Sequence, residues 1–245
     1  MTRIKLMSYN KRNYLMLFSD PVLFVSGMAF LSVNAVIPNF LNELGASAFQ
    51  ISLASALASI GALATQPIFA QLAMGMPVKN KFFAKLITFQ RLLFLAYIPF
   101  IPLISKLNPM LSVILFLTLW GIFNLFVGSY SPFYMSILAK IIPGNQRGRL
   151  IGFATSTGNI LALGSALLIG VLLKKLSFPY NYTWIFSIGI FLLLLNACTF
   201  ALIQEKPDDV KRKPVNYLKY IVEIPRVFKT QKIYALSVLG NSFLV

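Results

Sequence analysis

Two charged side chains border or enter long apolar stretches, and they are the first candidates for chemistry. Asp20 stands directly before the run that starts at Pro21, and Arg91 stands one turn inside the run Leu86–Ile104. A charge at the centre of a bilayer costs about 2.5–3.5 kcal/mol on the insertion scale, so such residues usually mark function. Three roles are open to Asp20: capping a helix at Pro21, pairing with a loop cation, or relaying a proton. Arg91 can act as an interface anchor, its head snorkelling to the lipid headgroups. Histidine is absent, and the single cysteine, Cys198, lies inside an apolar run. This removes disulfides, His/Cys metal sites and every nucleophile that needs a histidine base. No catalytic residue, metal site or cofactor is expected.

The elements that must hold these residues are long and apolar. The chain is 58% hydrophobic and 11% charged, with a mean hydropathy of +0.76. Soluble domains are nearer a quarter charged, so an integral membrane protein is expected. Lys and Arg number 22 against 6 Asp and Glu, a net charge of +16. The basic residues cluster between apolar segments, so the expected counter-charge is the anionic headgroups of a lipid bilayer and not nucleic acid.

Six apolar segments are long enough to span, since twenty residues rise about 30 Å. They run over about Pro21–Phe40, Ile51–Met74, Leu86–Ile104, Met110–Leu138 (interrupted by Pro132), Leu150–Leu173 and Tyr182–Ile203. Residues 1–203 therefore read as a bundle of six transmembrane helices behind a basic leader. Residues 204–232 read as a central loop in which Tyr217, Ile221, Ile224 and Phe228 form one face of a surface helix. Residues 233–245 start a seventh segment of thirteen residues, too short to span, as in a fragment or a truncated product. The leader and the loops after spans 2, 4 and 6, with Arg91, carry 19 of the Lys and Arg residues, and the other turns carry 3. The positive-inside rule then puts the N-terminus in the cytoplasm of a multi-pass protein of the cell (inner or plasma) membrane.

The second and fifth segments resemble each other. Ile51–Ala64 reads ISLASALASIGALA, and Ile151–Gly164 reads IGFATSTGNILALG. Ile51/Ile151, Ala54/Ala154, Ile60/Ile160, Ala62/Ala162 and Leu63/Leu163 are identical. Both windows carry small residues four apart, a spacing that lets helix backbones approach closely in lipid. A repeated three-helix unit is a common plan among secondary transporters. Segments 3 and 6 are bulky and greasy and are expected to face lipid. Segments 1, 2, 4 and 5 hold most of the uncharged polar side chains. Asn34, Asn39, Gln66, Asn124, Tyr130, Tyr134, Thr155 and Asn159 are the candidates for a solute pathway, with interhelical hydrogen bonding as the ordinary alternative.

This layout resembles the N-terminal half of the major facilitator superfamily. Leu44-Gly45-Ala46-Ser47 opening the second helix, Pro67 near its end, and Pro143, Arg147, Gly148 and Gly152 between helices 4 and 5 are similar to the family's motifs. Asp20 and Arg91 join those four as candidates for conformational roles. Departures are present: Met74 stands where the family's 2–3 loop has an acid, and Asn124 and Gly128 stand where proton-coupled members have Arg-x-x-x-Gly. The resemblance implies an all-α polytopic bundle of two three-helix inverted repeats, ending in the seventh span. It implies movement of a small solute, unidentified, by alternating access against a C-terminal bundle missing from this sequence. A non-transporting scaffold or partner-binding bundle is the alternative, and an intramembrane enzyme lacks the paired carboxylates or metal it would need.

Overall fold

The computed structural model describes residues 2–208, with side chains from residue 11 onward. The expected surface helix and seventh segment lie outside the described residues. Those described are helices and short connections: α1 (Thr2–Ala29), α2 (Val36–Glu43), α3 (Ala48–Gly75), α4 (Asn80–Tyr97), a 3₁₀ turn (Ile98–Phe100), α5 (Ile101–Leu107), α6 (Pro109–Val127), α7 (Tyr130–Ile141), α8 (Gly144–Lys175) and α9 (Tyr180–Leu202). Five stretches are long and apolar enough to cross a membrane: Ala48–Gly75, Asn80–Leu107, Pro109–Ile141, Gly144–Lys175 and Tyr180–Leu202. Together with the broken pair α1–α2 they make six spans.

Prolines set the breaks. A proline in a helix has no N–H to offer and its ring clashes with the carbonyl four residues back. Pro132 points this conflict at Gly128, and the fourth span breaks at Gly128–Ser129, between α6 and α7. Pro38 points it at Asn34, and the first span breaks over residues 30–35. The expected first helix, Pro21–Phe40, is thus corrected. The helix begins in the basic leader, runs through Pro21, and stops at Ala29. At the next connection Gly45 has φ +75, a left-handed conformation that favours glycine. Ser47 then caps α3 in a reciprocal box with Gln50, each closing one exposed amide of the helix start.

The spans pair with an internal symmetry. The first packs along the fifth and sixth (α1 on α8 and α9), the fourth along the second and third (α6 on α3 and α4), and the third along the sixth (α4 on α9). Exchanging spans 1–3 for spans 4–6 leaves this set unchanged, as two three-helix repeats require. The five identical pairs of the repeat share their burial as well. Ala54 and Ala154 are 1% and 0% exposed, Ile60 and Ile160 66% and 68%, Leu63 and Leu163 67% and 70%. Ile51/Ile151 and Ala62/Ala162 are half-buried on both sides.

Close packing replaces the hydrophobic effect here, because lipid tails are as apolar as the side chains they would displace. At the crossing of α6 with α3, a Cβ on Gly61 would sit 3.1 Å from the Asn124 backbone, and one on Gly128 2.1 Å from Thr65 Oγ1 and 2.4 Å from the Ala62 carbonyl. At the crossing of α1 with α8, a Cβ on Gly158 would lie 3.1 Å from Val25 and 3.3 Å from the Pro21 carbonyl. Trp120 Nε1 donates to the Ala54 carbonyl at 2.9 Å, fixing α6 on α3. Aromatic rings fill two cores. Phe40, Phe94, Phe116, Trp120 and Phe186 belong to one, and Phe83, Phe133, Tyr134 and Phe200 to the other.

Segments 3 and 6 do not form the least covered face. Phe94, Tyr97, Ile98, Phe186 and Leu193 are buried, although Phe100, Phe191 and Leu195 are exposed. The most exposed spans are α3 and α8, and the lipid-facing expectation for segments 3 and 6 is corrected on that ground. Their bulk serves the contact between α4 and α9, where large side chains interlock; the small residues of α3 and α8 leave apolar tips such as Leu63, Leu163 and Leu167 outside.

Candidate functional site

α1 brings Asp20 into the crossing with α7 and α9, and α4 brings Arg91 alongside. Asp20, Arg91 and Asn196 are all fully buried. Tyr130 donates its hydroxyl to Asp20 Oδ2, and Asn196 Nδ2 donates to Asp20 Oδ1. The same Nδ2 lies 3.0 Å from the Asp20 carbonyl, and Thr199 Oγ1 reaches Oδ1 at 3.5 Å. On its other side Asn196 Oδ1 accepts from Arg91 Nη2 at 2.5 Å. Among the described residues no direct ion pair joins acid and base: a neutral amide, which both donates and accepts, stands between them. Arg91 Nε and Nη1 are buried without a protein partner.

Pro21 helps build the site. Its missing N–H leaves the Leu17 carbonyl without an intrahelical donor, and the Tyr134 hydroxyl fills that place at 3.2 Å. The rings of Tyr130 and Tyr134 stack at 5.9 Å, and Tyr130 stacks on Phe24 at 4.2 Å. These contacts correct two expectations. Asp20 caps no helix start, because α1 begins at Thr2 and continues past Pro21. Arg91 does not snorkel, because its guanidinium is enclosed and turned to Asn196.

The remaining pathway candidates lie elsewhere. Asn124 is buried and its Nδ2 donates to the Trp120 carbonyl of its own helix at 2.8 Å, an ordinary packing role beside Gly61. Gln66 and Thr155 are half-buried; Asn34, Asn39 and Asn159 are exposed. None of these five hydrogen-bonds to the Asp20 network. Asn196 and Thr199 escaped the sequence reading because segment 6 reads as uniformly greasy; the signal was one amide in the run IFLLLLNACTF.

A second polar cluster closes the end of the bundle that carries the basic loops. Glu205, just past α9, accepts with Oε2 from the backbone N–H groups of Lys79 (2.7 Å) and Asn80 (2.8 Å), the first turn of α4. A carboxylate there meets the positive end of the helix dipole. Its Oε1 accepts from Lys140 Nζ at 3.0 Å. Asp208 Oδ2 lies 3.1 Å from both Lys79 Nζ and Lys140 Nζ. Burial pushes the Asp208 carboxyl up, but the hydrogen bonds and charge of Lys140 and Lys79 outweigh it and hold it below its ordinary value of 3.8. Asn80 Nδ2 donates to the Ile203 carbonyl at 2.6 Å, and Asn13 exchanges two 2.9 Å bonds with the Gln204 backbone. The segment leaving α9 is thereby fastened to α1, α4 and α7. The acid that Met74 displaces from the 2–3 loop is matched by one arriving from the far end of the bundle.

The 4–5 motif is partly explained. Pro143 is the N-cap of α8. Arg147 folds back on the end of α7, donating from Nε to the Ile142 carbonyl (2.8 Å) and from Nη2 to the Ala139 carbonyl (2.5 Å), where a cation suits the helix dipole. Gly148 and Gly152 are exposed with open space around them, and nothing in the structure explains them.

No curated protein and no solved structure matched the chain. The family profile described as Major Facilitator Superfamily matches residues 21–245. With most of the sequence matched, and with spans arranged as two exchanged triplets, the chain belongs to the major facilitator superfamily of multi-pass membrane transporters.

Proposed function

We propose that residues 1–203 are the N-terminal half of a transporter that moves a small solute by alternating access, rocking against a C-terminal bundle. The observation that carries this reading is the matched exposure of α3 and α8. Ile60, Leu63, Ile160 and Leu163 form equivalent uncovered surfaces on the two helices that the repeat relates. A second bundle of the same plan supplies the surface they lack, with the solute held between halves near the midplane. Asn34, Asn39, Gln66, Thr155 and Asn159, which the buried network leaves out, are the pathway residues. Asp20, Arg91, Tyr130 and Tyr134 form the joint between α1, α4, α7 and α9, and Pro143, Arg147, Gly148 and Gly152 belong to the loop that turns α7 into α8. The 19-to-3 distribution of Lys and Arg supports a cytoplasmic N-terminus in the cell membrane.

The test is uptake of a panel of labelled small solutes into vesicles, with the chain alone and with a C-terminal bundle supplied as a second polypeptide. Uptake that requires both is expected. Stable insertion and assembly with no uptake of any solute would favour a scaffold bundle.

A further inference from the structure

The charged network inside the bundle has the parts of a proton-exchange site. Among the described acidic residues, Glu43, Glu205 and Asp208 lie at helix ends or beyond them, and Asp20 alone lies within the packed helices. Its two oxygens accept from neutral donors, the Tyr130 hydroxyl and the Asn196 amide, while the guanidinium that balances its charge is held one residue away. An acid clamped directly on an arginine would be fixed as a carboxylate; the intervening amide loosens that bond without removing the counter-charge. Arg91 retains two buried nitrogens with no protein partner, so its charge is incompletely satisfied whether or not Asp20 is ionised.

We propose that Asp20 takes up and releases a proton, with Tyr130 as its hydrogen-bonding gate and Asn196 as the spacer that holds it off Arg91; its use in coupling rests on the transport reading above. Uptake adds one proton from water to Asp20 Oδ2 and breaks no covalent bond. The Tyr130 hydroxyl then turns from donor to acceptor and releases its own O–H toward its half-buried outer side. The site passes from a balanced acid and base to a net positive charge, costly in a dry interior, and the helices that enclose it are driven to a different packing. Every element packed on Asp20 is accounted for. Tyr130 and Tyr134 face it from α7, Arg91 from α4, and the neutral Asn196 and Thr199 from α9. α8 meets the neighbouring Pro21 and Val22 through Gly158, and its charged residues, Arg147, Arg149, Lys174 and Lys175, lie at its ends.

The experiment is pH-difference infrared spectroscopy of the full chain in lipid vesicles, stepped from mildly acid to mildly alkaline. A protonated-carboxyl C=O band that vanishes as the pH rises is expected. It should be lost in Asp20→Asn and kept in Asp20→Glu. Should Asp20→Asn fail to fold, Tyr130→Phe serves: removing the hydroxyl that bonds Oδ2 should move the band in frequency. No titrating band, or a band untouched by both Asp20→Asn and Tyr130→Phe, overturns the proposal. The measurement needs no solute. A titrating Asp20 in a chain without uptake would support the proton site and count against the transport reading. A permanently ionised Asp20 in a transporting chain would do the reverse.

Discussion

At the scale of single residues, the buried network sets the largest stability differences. Removing one partner of a buried charge set typically costs about 3–5 kcal/mol, because the other charge is left uncompensated. Arg91→Met should destabilise the bundle by an amount of that order, and adding Asp20→Asn should recover most of the loss. Unfolding of the two single variants and the double variant in detergent measures this as a coupling energy. Additive losses would mean that acid and base do not share one site. Asp208 gives a pH dependence of definite sign. Its carboxyl is held below 3.8, so its contribution is present at neutral pH and fades only as the pH falls through that lowered value. The melting difference between wild type and Asp208→Asn should persist at neutral pH and disappear in strong acid; a difference that grew on acidification would contradict the lysine contacts.

At the scale of elements, glycines divide into those under contact and those in the open. Gly128→Ala drives a methyl into Thr65 Oγ1 and the Ala62 carbonyl, and overpacking of that kind costs about 1–3 kcal/mol. Gly164→Ala meets nothing within 4 Å and should be neutral or stabilising by up to about 1 kcal/mol, the helix preference of alanine over glycine. Melting temperatures in detergent separate the two, and equal losses would place the α3–α6 crossing elsewhere. The element scale is also where the sequence was most legible. Hydropathy located the spans, Pro132 announced the break before α7, and the offset of one hundred residues anticipated the shared environments of Ala54/Ala154 and Leu63/Leu163. Other features depend on packing that no local pattern encodes. Greasiness did not separate a lipid-facing helix from one wedged between neighbours, so α4 and α9 were misplaced. Arg91 near a helix start reads like an anchor until Asn196, 105 residues away, is brought against it. Glu205 looks like an ordinary loop acid until the fold delivers it to the first turn of α4.

At the scale of the whole molecule, the account turns on α3 and α8 being half of a lined pathway and not a lipid-facing wall. Gln66 lies in the outer half of α3 and Asn159 near the middle of α8, each on a helix whose surface is largely uncovered. The most direct test uses cysteine at Gln66 or Asn159 in a Cys198→Ser background, in the assembled transporter in membranes. A water-soluble, membrane-impermeant thiol reagent should label both positions, with reactivity that changes when solute is added. Labelling only by lipid-soluble reagents, unchanged by any solute, would put these residues in the bilayer and contradict the pathway.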